Sequence, residues 1–104
     1  YEEKFFDPAS KQGRWRLIAS PDGRDGSVRI HQDAMVYASI LDGSDTLHYS
    51  LASSRLGYLH VATGEVTANG IALRAGDAIK LVDEPDIHVS DARHAEILLF
   101  DLPV

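Results

Sequence analysis

An all-β fold, a sandwich or barrel, is what this sequence predicts, and three observations carry that expectation. Turn-forming residues recur along the whole chain: Asp7-Pro8, Ser20-Pro21-Asp22-Gly23, Asp25-Gly26, Asp42-Gly43-Ser44, Thr63-Gly64, Asn69-Gly70, Ala75-Gly76-Asp77, Glu84-Pro85 and Asp91. Gly, Asn and Asp tolerate positive φ and Pro pre-sets its own, so these residues end regular elements. Between them lie short runs rich in Val, Ile, Leu, Tyr and Thr, at the roughly 8–12-residue spacing of sandwiches and barrels. Helical periodicity is weak, with a single short turn conceivable over 50–55.

Taken in order, residues 1–6 read as a strand joined to something upstream, since the chain opens on Tyr1 and not on Met. Strands are then expected at 14–20, 27–32, 34–41, 46–51, 56–62, 65–68, 78–82, 87–90 and 95–102. Val28/Ile30 and Leu59/Val61 alternate with smaller or polar residues, the period of half-buried strands. The most specific local signal is Asn69-Gly70 between two β-prone arms, the preferred type I′ hairpin. No internal repeat, low-complexity tract or linker interrupts the pattern.

At 104 residues and 44% hydrophobic content the chain makes one domain with one modest core. Ten Lys and Arg against sixteen Asp and Glu give a net charge of −6. That balance argues against a nucleic-acid partner and against an anionic membrane surface. No apolar run is long enough to span a bilayer. The absence of cysteine removes disulfide scaffolds, thiolate metal sites and cysteine nucleophiles, and fits a cytoplasmic origin. The charge is uneven: residues 1–30 carry six basic and five acidic side chains, and all the remaining excess of acid lies in 31–104. Ordinary solvated turns account for this; so would an N-terminal arm that docks on an acidic neighbour.

Five histidines invite a metal site. Period 2 gathers ligands from alternate positions of a strand, yet there is no His-x-His, and His31-Gln32-Asp33 and His94-Ala95-Glu96 each offer only two donors. No metal site is therefore expected, and His48, His60 and His88 are the candidates that would have to converge to make one. If Leu59 and Val61 face the core, Tyr58 and His60 point outwards, as interface anchors or as plain surface residues. With Tyr1 and Phe5 they make up the candidate interface set. No Gly-x-Ser-x-Gly or phosphate-binding Gly-rich pattern appears, and Asp83-Glu84 beside Pro85 reads as a solvated turn sooner than an acid–base pair.

The hairpin 64–77, with its closing Gly76-Asp77, resembles the central hairpin of a cupin. Together with the stretches 17–27, 30–33 and 96–103, in that order, the chain resembles the C-terminal cupin domain of bacterial pirin-like proteins, the group of the pirin-type quercetin 2,3-dioxygenases. The resemblance covers essentially all of residues 1–104 and implies a single cupin (double-stranded β-helix or jelly-roll) barrel, the C-terminal half of a bicupin. It implies a divalent metal, most often iron, in the N-terminal barrel, held by a His-x-His and a later His-x-Glu. It also implies the partner, namely that N-terminal cupin domain of the same parent chain. When the first cupin motif is anchored on Gly64, its Glu position falls on Gly57 and its histidines on Leu51/Ser53 or Ser50/Ala52. The second motif, begun at Gly76, puts its Pro, Gly, His and Asn positions on Val82, Glu84, Ile87 and Asp91, with His88 one residue late and facing the other way. This barrel is thus expected to keep the fold without cofactor or catalytic residues of its own, shaping the metal site of its neighbour. The alternatives are a free-standing metal oxygenase, a regulatory module that binds another protein or a second copy of itself, and a barrel that holds a small ligand.

Overall fold

In the computed structural model, which describes residues 5–104, the chain enters through a helix and not a turn. Asp7 accepts a hydrogen bond from Ala9 N at 3.0 Å and Pro8 opens the first turn, an N-cap followed by proline that starts α1 (Pro8–Lys11). The residues before Phe5 lie outside the described part, so the strand expected over 1–6 and the anchor Tyr1 are not among the described residues.

The strands follow as β1 (Arg16–Ser20), β2 (Val28–Arg29), β3 (Met35–Gly43), β4 (Leu47–Ser50), β5 (Arg55–Ala68), β6 (Ile71–Arg74), β7 (Ala78–Val82) and β8 (Asp86–Pro103). Two expected turns are corrected. Thr63-Gly64 and Asp91 do not end strands: they are bulges inside β5 and β8, where the pairing register shifts. Gly64 and Asp91 take positive φ, +70° and +52°, and a bulge uses the same backbone freedom as a turn. Asp42 pins the β8 bulge from across the sheet, its carboxylate accepting from His94 N at 3.1 Å and Gly43 N at 2.9 Å. These backbone donors hold the Asp42 carboxyl below its ordinary range. The expected hairpin is present: Ala68 pairs with Ile71, and Asn69 and Gly70 both have positive φ, as a type I′ turn requires. Residues 50–55 form a plain turn closed by Arg55 N to Ala52 O at 3.0 Å.

The long strands β5 and β8 run through both halves of one continuous sheet. Their first and last portions, from Arg55↔Pro103 to Val61↔Ile97, join β7 on one side and β3, β1 and β2 on the other. Their remaining portions, Thr67↔Ser90 and Ala68↔Val89, join β6 and β4. The two halves fold onto each other over Leu59, Val61, Ile97 and Leu99 from one and Leu47, Val66, Ile87 and Val89 from the other. Full burial of such a side chain contributes about 1.5–3 kcal/mol. Leu59 and Val61 face inwards as expected. No helix among the described residues is long and apolar enough to cross a membrane.

Candidate functional site

Three places could carry function, and the barrel interior comes first. The two motif positions expected at Gly57 and Ile87 meet there. A Cβ built on Gly57 would lie 3.1 Å from Ile87 Cδ1, 3.4 Å from Leu51 Cδ2 and 3.5 Å from Leu81 Cβ. Glu, one His and the other His of the pattern would therefore converge, but the side chains at that point are hydrogen, isobutyl and sec-butyl. Gly57, Leu51 and Ile87 supply no donor atom, so the residues present do not fit a metal ion.

Beside this point sits a buried polar network. Asp101 pairs with Gly57 across the sheet, points inwards and is only 4% exposed. Its Oδ2 accepts from Tyr49 Oη at 2.5 Å and its Oδ1 from Arg55 Nε at 2.8 Å. Arg55 also donates to Asp101 O, to Asp33 Oδ2 and to Asp33 O, at 3.0, 2.8 and 3.2 Å. Burial, and then the bond to Asp101, push the Tyr49 phenol above its ordinary range, so it stays a neutral donor. The bond to Asp101 raises Arg55 further. Both carboxylate oxygens are thus engaged by donors that keep their protons, which leaves the network structural in character. Tyr49 further packs edge-on against Tyr37 and Trp15, with ring centroids 5.1 and 6.3 Å away.

The second place is the outer face of the larger half-sheet. Paired residues share a face, so Tyr58↔Phe100, Phe100↔Val36, His60↔Leu98 and Leu56↔Leu102 lay out one largely apolar strip, with Lys80 opposite Tyr58 and Arg16 opposite the buried Ala38 at its margins. Tyr58 is 40% exposed and meets Phe100 edge-to-face at 6.1 Å. The other expected anchors differ in setting: His60 is half-buried on this face, while Phe5 is 87% exposed beside α1.

The third place is the set of histidines. His48 and His88 are directly paired on the outer face of the smaller half-sheet, ring centroids 6.5 Å apart, with His48 Nε2 3.3 Å from Asp86 Oδ1. His60 lies on the opposite outer surface, so the three do not converge. Ile87 is fully buried and His88 exposed, with no bulge between them, which is why His88 misses the interior. His31 and His94 are also exposed, and so are Asp83 and Glu84 in the turn after β7. Among the described residues, no three His, Asp or Glu side chains are grouped as a metal site.

A family profile described as the quercetinase C-terminal cupin domain matches residues 17–102. The chain belongs to this family. The quercetin 2,3-dioxygenase of Escherichia coli K12 is 37% identical over 103 residues, which take in 99% of this chain and 43% of that protein. The crystal structure of YhhW from E. coli superposes with a TM-score of 0.91 at 36% identity, over 99% of this chain and 43% of that one. YhhW described as a bacterial pirin in complex with nickel(II) matches 86% of this chain and 39% of its own at a TM-score of 0.82 and 36% identity. The quercetinase C-terminal cupin domain seen here thus spans less than half the length of the relatives it matches. Sequence reasoning missed Asp101, Tyr49 and Arg55. The signal for Asp101 was present, since it continues the inward series Ile97, Leu99 and is the one acid in that run; its partners sit on other strands.

Proposed function

We propose that this cupin domain is the metal-free, non-catalytic C-terminal half of a pirin-like, quercetin 2,3-dioxygenase-like bicupin. In that arrangement it packs against the metal-bearing N-terminal barrel and shapes it. One observation carries the proposal: the positions where cupin ligands would converge hold Gly57, Leu51 and Ile87, and the space a Gly57 side chain would take is already closed by Ile87, Leu51 and Leu81. A barrel whose motif position is filled with hydrocarbon keeps the shape of the fold without its chemistry.

The outer face of Tyr58, Phe100, Leu56, Leu98 and Val36 supports the partner assigned. It is contiguous and largely apolar, centred on the Tyr58–Phe100 pair and bordered by Lys80 and Arg16, an aromatic centre with a charged margin as interfaces have. The remainder of the relatives' length supplies a domain to cover it: the family is defined as C-terminal, and the chain accounts for 43% of the E. coli dioxygenase.

The test is metal content. The 104-residue chain and a parent carrying both halves are loaded with Ni(II) or Fe(II), desalted and measured by inductively coupled plasma mass spectrometry. The chain alone should hold well under a tenth of an equivalent and the parent close to one. Stoichiometric metal on the chain alone would overturn the proposal.

A further inference from the structure

Away from the outer apolar face and the closed motif position, the edge of the barrel beside β1 carries a cleft of about 460 Å³. That is within the range of small-molecule sites. Its walls are Arg14, Arg16 and Arg24, its floor the rings of Trp15 and Tyr37, and its acids Asp25 and, bonded to Arg24, Asp22. Three guanidinium groups against these two carboxylates leave a local excess of one positive charge on a chain whose net charge is −6.

The donors there outnumber the acceptors the protein offers them. Arg16 is fixed in place: Nη1 donates to Leu17 O at 3.1 Å and Asp25 O at 2.5 Å, and its guanidinium lies 4.9 Å from the centre of the Phe6 ring. Arg24 holds both Asp22 carboxylate oxygens through Nη1, at 3.3 and 3.4 Å, and lies against Tyr37, while its Nη2 meets the Met35 thioether, a weak acceptor. The Arg14 side chain has no ionic or hydrogen-bonding partner among the described residues. On the floor, Tyr37 Oη finds Tyr49 Oη at 3.5 Å and Met35 Sδ at 4.0 Å, both long, while the Trp15 Nε1–H is buried beneath the cleft surface with no acceptor among the described residues. The two rings meet edge-to-face at 6.3 Å and 65°.

We infer that this cleft binds a planar aromatic carboxylate, its anionic group held by Arg14 and the free edge of Arg24 and its ring set against the side chains of Trp15 and Tyr37. A guanidinium fork matches a carboxylate's two oxygens, and an aromatic face suits both the Arg planes and the indole. This site is independent of the interdomain arrangement, and either can fail without the other.

Trp15 is the only tryptophan, so its fluorescence reports on the floor of the cleft directly. The 104-residue chain is titrated with 4-hydroxybenzoate at low ionic strength, with excitation at the red edge of the indole band. A saturable change is expected. Phenol, which lacks the charge, and cyclohexanecarboxylate, which lacks the flat ring, should each bind about tenfold more weakly or worse. Arg24→Gln should weaken 4-hydroxybenzoate by about five- to tenfold, the loss of a charge-assisted hydrogen bond. Arg14→Gln, at an exposed position with no partner to lose, should lower affinity in the same direction while leaving the circular dichroism spectrum unchanged. The inference is overturned by the absence of saturation, by phenol matching 4-hydroxybenzoate (a greasy crevice only), or by cyclohexanecarboxylate or inorganic phosphate matching it (a charge patch only). It is also overturned if both Arg variants, folded, bind as the unaltered chain does.

Discussion

Gly64 sits where the β5 bulge crosses the β8 bulge, and replacing it by alanine should be among the costliest single-methyl changes in the molecule. The added Cβ would stand 2.2 Å from Arg93 O, 2.3 Å from His94 O and 2.6 Å from His94 C. All three are backbone atoms of a strand paired on both sides, so relief needs a displacement of the order of an ångström and not a rotamer change. Forcing atoms into packed structure costs about 1–3 kcal/mol. The φ of +70° adds the left-handed penalty of about 1–2 kcal/mol for an L-residue. Together they predict a loss of about 3 kcal/mol, against the roughly 5–15 kcal/mol of stability usual for a domain. Two other glycines are internal references. Gly70, at φ +82° with nothing within 4 Å of its Cβ, isolates the conformational part, and Gly70→Ala should cost about 1 kcal/mol. Gly57 has ordinary φ and would press on the flexible ends of Ile87 and Leu51, so Gly57→Ala should also cost about 1 kcal/mol. The entropy that alanine removes from the unfolded chain is common to all three and cancels in the differences. Urea unfolding followed by Trp15 fluorescence and far-ultraviolet circular dichroism measures them. With an m-value of about 1.5 kcal/mol/M, about 3 kcal/mol lowers the midpoint by about 2 M. If Gly64→Ala falls within about 0.5 kcal/mol of Gly70→Ala, a spread typical of unperturbed sites, the two bulges yield freely and the steric reasoning is wrong.

The remaining predictions concern the polar network and the outer face. Asp101→Ala strips Arg55 and Tyr49 of a buried acceptor and should cost about 3 kcal/mol. Asp33→Ala, which removes a carboxylate whose side chain is 69% exposed from the same arginine, should cost less than about 1 kcal/mol, and equal losses in urea would refute the asymmetry. Alkali should destabilise the fold through Tyr49. Its folded pKa is raised, so the contribution is complete below the unfolded value near 10 and is lost as pH rises beyond it; because the ring is only half-buried, the slope should stay under about 1.4 kcal/mol per pH unit. Tyr49→Phe should flatten that slope above pH 10 in pH-dependent urea titrations. Tyr58→Asp should cost the isolated chain about 1–2 kcal/mol, through the lost edge-to-face contact with Phe100 and the poor fit of Asp in a central strand. In a parent with both halves it should separate the two unfolding transitions seen by calorimetry; unchanged coupling there would count against Tyr58 as an interdomain anchor.

What could be read from the sequence was whatever depends on neighbours a few residues away. The inward set Leu59/Val61 and the Asn69-Gly70 hairpin follow from alternation and from φ preferences, both local. The same locality explains the errors. Gly64 and Asp91 announce positive φ, but whether the chain then reverses or only kinks is settled by the strand lying alongside. Asp7-Pro8 announces a turn or a helix N-terminus equally well, and α1 is the outcome. The motif positions Gly57 and Ile87 lie 30 residues apart in the chain, and only the fold brings the Ile87 side chain over the space a Gly57 side chain would take. Asp101, Tyr49 and Arg55 come from three strands and are far apart in sequence, so their network had no local mark beyond the acid in an apolar run. The basic surplus of the first thirty residues was visible as a sum; its concentration around Trp15 depends on β1 meeting β3 and on the turn at Arg24–Gly26.

Because β8 holds the middle of the sheet, assembly of this domain has a fixed timetable. Met35 pairs with Asp101, Leu47 with Val89 and Arg55 with Pro103. During synthesis, β3, β4 and β5 therefore emerge without the strand they share, and loop closure over such separations is slow. Until residues 86–103 leave the ribosome, the inner faces of Leu41, Leu47 and Leu59 lack Ile87, Val89, Ile97 and Leu99, the fully buried centre of the core they share. In the two-domain parent proposed above, the first half would by then have had time to fold. Its surface would be available as the template on which the late half settles, and truncation within β8 would release a chain with three unsatisfied strands, open to aggregation.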